Sequence, residues 1–77
     1  MPRYHFDLVD QTTVADQGGR QLEDDDHARA VADKLAEELN ARRPELRGKN
    51  YKVLVTNDEG DEIHLAPLDR FRLVSDP

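Results

Sequence analysis

The sequence predicts a small α+β domain: one amphipathic helix packed on one face of a mainly antiparallel, three- to four-stranded sheet, in the order β-(β)-α-β-β. Three observations carry this. Ala28, Ala32 and Ala36 form one row and Val31, Leu35 and Leu39 a second row beside it. At about 100° per residue the six fall in one arc, with Arg29, Asp33, Lys34, Glu37 and Glu38 outside it. Arg3 to Asp10 and Tyr51 to Thr56 alternate with the period of a strand buried on one face. Finally, 77 residues without a cysteine must hold together by packing alone, near the lower size limit for a single core.

Taken in order, Tyr4, Phe6 and Leu8 point to one side of the first strand, and His5, Asp7 and Val9 to the other. Gln11-Thr12-Thr13 breaks the alternation, and the polar stretch from Val14 to Leu22 contains Gly18-Gly19, which permits positive φ. A turn is expected there, with at most a short second strand near Arg20 to Leu22. Asp24 is the expected helix N-cap, although His27 stands where a capping box needs Glu or Gln. Asp25 precedes Arg29, and Glu38 precedes Arg42, by one turn in the favourable order. Leu35 and Leu39 are expected to insert between strands. Pro44 disfavours helical geometry at Arg43 and ends the helix, and Glu45 to Asn50 reads as a turn.

Tyr51, Val53 and Val55 share one face of the next strand, with Lys52, Leu54 and Thr56 on the other. Asn57 to Asp61 carries the turn residues of a hairpin. Ile63 and Leu65 are then expected on the buried face of the returning strand, with His64 outward, until Pro67 ends it. The first strand must pair with this hairpin non-locally, because a lone hairpin is marginal in water. The chain reads as one domain over 1–77, with 69–77 a frayed tail or an extra edge strand.

The net charge of −6 is the wrong sign for a nucleic-acid binder. The charge is nevertheless uneven: Arg42, Arg43, Arg47, Lys49 and Lys52 cluster against the single acid Glu45, while Glu23 to Asp26 is wholly acidic. Acids at a helix start and bases at its end are the plainer account. No apolar run approaches the ~18 residues of a membrane span, so no membrane contact is expected, and the chain reads as cytoplasmic.

The opening Met1-Pro2-Arg3-Tyr4-His5-Phe6, the Asp16-x-x-Gly19-x-x-Leu22 turn, the alanine-rich helix and the Val53-Leu54-Val55-Thr56-Asn57-Asp58-Glu59-Gly60 hairpin occur together. This combination resembles a family of short uncharacterised proteins, a domain of unknown function, from rhizobia and related alphaproteobacteria. Asp7 stands where that family more often has His, and Asn57 where it more often has Asp. The resemblance implies an architecture rather than a chemistry.

Nucleophilic catalysis lacks its residues: there is no cysteine, and the single serine, Ser75, lies in the tail. No glycine spacing matches a phosphate loop, and no cofactor is implied. His5, Asp7 and His64 are the candidates for a metal or acid–base site, on the expectation that all three occupy the outer face of the sheet. Solvation on a wet face is the plainer account of each. Arg42, Arg43, Arg47, Lys49 and Lys52 are the candidates for binding an anion or nucleic acid. Val9 and Leu54 on the outer face, with Phe71, Leu73 and Val74 in the tail, are the candidates for a protein partner or self-association through a sheet edge or the tail. A non-enzymatic interaction or regulatory module is the preferred expectation.

Overall fold

The computed structural model describes residues 2–69. Its elements are β1 (Arg3–Val9), β2 (Val14–Gln21), α1 (Asp25–Arg42), a 3-10 turn (Pro44–Leu46), β3 (Lys52–Asn57) and β4 (Glu62–Pro67). The four strands form one sheet in the order β2-β1-β3-β4, every neighbour antiparallel. The non-local pairing is therefore made, between β1 and β3, and these two are the central strands. The expected α+β architecture holds.

The core lies between α1 and one face of the sheet. Tyr4, Phe6 and Leu8 from β1, Val53 and Val55 from β3 and Ala66 from β4 are buried there. Ala28, Ala32 and Ala36 close the layer from above, all at 0% exposure. Small side chains let the helix backbone approach the sheet, so the alanine row, not the leucine row, sits at the line of contact. This corrects the expectation for Leu35 and Leu39, which with Val31 are only half-buried along the flank. The physical reason is width. A helix is about 10–12 Å across, whereas four strands at about 4.8 Å spacing span more than 14 Å. α1 rests chiefly on β4 and β3, and the far strand, β2, is left with almost every residue exposed.

Local chemistry sets the ends of the helix. Asp24 caps the N-terminus as expected, its Oδ1 accepting from the His27 N–H at 2.9 Å. Asp25 does not serve Arg29; it accepts the Tyr4 hydroxyl at 2.7 Å and so ties the helix start to β1. Arg29 pairs instead with Asp26 at 2.7 Å. At the other end the Arg43 N–H closes the last turn on the Leu39 carbonyl, and Leu46 is buried beneath the 3-10 turn.

Two further expectations are corrected. The stretch read as a turn is the eight-residue strand β2. Its glycines are absorbed by a bulge: Asp16 pairs with Asp7 and Gly19 with His5, so Gln17 and Gly18 together face one residue of β1. Gly18 takes φ of +95° there, which only glycine adopts readily. In β4 the phase is inverted. Thr56 pairs with Glu62 but Val55 with His64, so Ile63 is the extra residue of a second bulge. Beyond it His64 and Ala66 face the helix and Leu65 faces out, 44% exposed. One inserted residue flips every later side chain to the opposite face.

Leu68, just past β4, is fully buried, its N–H on the Tyr51 carbonyl and its carbonyl on the Asn40 amide. The expected tail strand, with Phe71, Leu73 and Val74, lies outside the described residues. No helix among them is long and apolar enough to cross a membrane.

Candidate functional site

The face of the sheet that α1 leaves open among the described residues carries the concentrated chemistry. β1 presents His5, Asp7 and Val9 there, β3 presents Lys52, Leu54 and Thr56, and β4 presents Leu65. β2 adds Val14 opposite Val9, and Asp16 opposite Asp7. Apolar and charged residues are neighbours on this surface, with Asp7 opposite Leu54 and Lys52 opposite Val9. Val14 lies beside Val9 and Leu54 beside Leu65, which draws an apolar diagonal across all four strands. Val14 is 72% exposed.

The other corner of the face holds His5, Asp7 and Asp16. His5 Nε2 lies 3.0 Å from Asp7 Oδ1 and 3.4 Å from Asp16 Oδ1. One ligand-type atom from each of the three falls within 4.8 Å of the others. Asp7 is the most shielded, its side chain 16% exposed against 44% for His5 and 70% for Asp16. The Gly18 N–H donates to Asp16 Oδ1 at 2.6 Å, so the bulge that accommodates the glycines also aims this carboxylate.

Of the three residues nominated from sequence, His5 and Asp7 come together and His64 does not. The β4 bulge turns His64 to the helix side, where Nε2 lies 2.9 Å from Asp33 Oδ1. That pair, partly exposed, links β4 to α1 on the face away from His5. Asp16 takes the third place, and sequence reasoning misses it because Gly18-Gly19 reads as a turn, with a short strand only after it. Extending the alternation of β1 into an antiparallel partner would have brought Asp16 level with Asp7.

The basic cluster is largely engaged in finishing the helix. Arg43 Nε donates to Glu45 Oε2 at 3.0 Å, and Arg47 Nε to the Asn40 carbonyl at 2.7 Å. Glu45 is held below the usual carboxylate range by its own backbone N–H and then by Arg43. Lys52 belongs to the open sheet face, its Nζ 3.4 Å from the Asn50 carbonyl, while Arg42 closes the helix. Val9 and Leu54, nominated for partner contact, both lie on the open face and are half-buried.

Two further hydrogen-bonded carboxylates lie outside the site, Asp10 and Asp25. Asp10 lies in the β1–β2 turn and accepts the Thr12 and Thr13 N–H groups at 2.9 and 2.6 Å, which holds its carboxyl below the usual range. On the helix side, the bond to Asp25 pushes the Tyr4 hydroxyl up to about 12.

A family model described as a domain of unknown function (DUF6894) matches residues 3–69, from the first residue of β1 to just past β4. No curated protein and no solved structure matches the chain.

Proposed function

Because the chain belongs to the DUF6894 family, a membership that brings no chemistry with it, we propose from its open sheet face that it is a small, non-enzymatic interaction module that self-associates. The observation that carries this reading is the apolar diagonal of Val14, Val9, Leu54 and Leu65 on the side opposite α1, uncovered among the described residues. Exposed apolar stripes of this kind are the usual basis of association.

The face is favoured over the edges for a physical reason. On β2, Asp16 already holds the Gly18 N–H and the Gln17 amide bonds the Ala15 carbonyl. β4 carries a bulge and ends at Pro67. Both are devices that blunt an edge against strand addition. Four strands about 19 Å across and 20 Å long offer roughly 400 Å² per partner, at the weak end of specific interfaces. A second copy is the occupant that such an area suits: a weak, two-fold dimer with matching stripes. Two chains at −6 repel, so added salt strengthens the dimer by screening. A cytoplasmic setting accords with a core that uses no cysteine.

Sedimentation equilibrium over rising protein and salt concentration tests this. A concentration-dependent dimer is expected, and Leu65→Glu abolishes it while leaving the melting temperature unchanged. A monomer at millimolar concentration, or a Leu65→Glu variant that dimerises as well as the parent, would sink the reading.

A further inference from the structure

We propose that His5, Asp7 and Asp16 form a binding site for a first-row divalent metal ion of the zinc type, open to solvent at its remaining position. Three independent features of the molecule point there. The first is spacing. Zinc bound tetrahedrally by nitrogen and oxygen at about 2.0–2.1 Å places neighbouring ligand atoms about 3.3 Å apart. His5 Nε2 lies 3.0 Å from Asp7 Oδ1 and 3.4 Å from Asp16 Oδ1, near that separation, and the three ligand atoms all fall within 4.8 Å of one another.

The second feature is electrostatic. Asp7 and Asp16 stand directly opposite one another on paired strands, an arrangement that destabilises a sheet when both are charged. Among the described residues no Lys or Arg pairs with either carboxylate. The His5 ring reaches both, and the Asp7 side chain, 16% exposed, is the less hydrated of the two. A dication at this point removes the repulsion.

The third is preorganisation. Asp16 is oriented by the Gly18 N–H at 2.6 Å, as outer hydrogen bonds orient metal ligands generally. His5 and Asp7 are fixed by β1, one of the two central strands of the sheet. One imidazole and two carboxylates suit zinc, manganese or iron rather than calcium, which takes six to eight oxygens, or copper(I), which prefers sulfur. With three protein ligands from one side, the remaining position belongs to water.

The inference stands apart from self-association, and one experiment separates them. Chelator-treated protein, as the parent and as Leu65→Glu, is titrated with zinc chloride alone, with heat and the histidine ring ¹⁵N resonances as readouts. One zinc per chain is expected in both, shifting the His5 resonances and leaving His27 and His64 in place. Asp16→Asn, a change at an exposed side chain, weakens binding roughly tenfold or more. His5→Gln does the same, and Asp33→Asn, on the opposite face, leaves the affinity unaltered. No zinc-dependent change at His5 up to millimolar metal overturns the proposal. So does an Asp16→Asn variant that binds as well as the parent, or a shift confined to His27, whose ring lies 4.0 Å from Glu23.

Discussion

The two faces of the sheet are built from the same strands with the same alternation, yet they end in different environments. On the helix side Tyr4, Phe6, Val53 and Val55 are no more than 2% exposed. One residue along, His5, Asp7 and Leu54 stay half-open. Hydropathy alone does not separate them, since Leu54 is as apolar as Leu8. What separates them is that α1 packs on one side only among the described residues. The sheet is therefore a core on one face and a surface available for contacts on the other.

The largest test of that contrast is Phe6→Ala, which removes a fully packed ring and should cost about 3–5 kcal/mol. A 77-residue domain is stable by only about 4–12 kcal/mol, so much of the folded population would be lost in urea titration. Leu54→Ala, on the open face of the neighbouring strand, should cost about 1 kcal/mol or less. Equal costs would mean that the outer face is buried in solution.

Within the helix the two apolar rows should rank in the unexpected order. Ala32→Leu forces extra methylenes into a 0% exposed position, at about 1–3 kcal/mol. Leu35→Ala, half-buried over the uncovered β2 side, should cost about 1 kcal/mol. A reversal in chemical denaturation would place the helix over β1 and β2 instead.

The smallest effect is a titration. The Tyr4 hydroxyl is raised from 10.0 to about 12, first by its bond to Asp25. Its folded value exceeds its unfolded value, so the stability it contributes is complete below pH 10 and disappears as pH climbs through 12. In a Tyr51→Phe background, tyrosinate absorbance should rise near pH 12, and Asp25→Asn should bring that rise down towards 10. A parent already titrating near 10 would show that the tie between helix and β1 is not made.

Much of the architecture was legible locally. Asp24 reads as a cap because a carboxylate before a helix finds free N–H groups, and it accepts the one on His27. The alternation of β1 and β3 named the right inner faces, because side chains on a strand alternate without exception until a residue is inserted. The candidate site was half legible: His5 and Asp7 share a face through that same rule. Asp16 was hidden because Gly18-Gly19 signals a turn in isolation, whereas beside β1 it forms a bulge. His64 was misplaced because nothing in Glu62-Ile63-His64 announces the extra residue that turns it towards Asp33.

Periodicity and composition by themselves determined the amphipathic helix, the strands buried on one side and the lack of a cysteine framework. They act over a few neighbouring residues, so local chemistry was enough. Only the tertiary structure decided which strand lies against which, where the two bulges fall, and hence that a histidine and two aspartates meet on the open face. Register is a long-range property: a bulge shifts the facing of every residue beyond it, and its position depends on the partner strand as much as on the residues that form it.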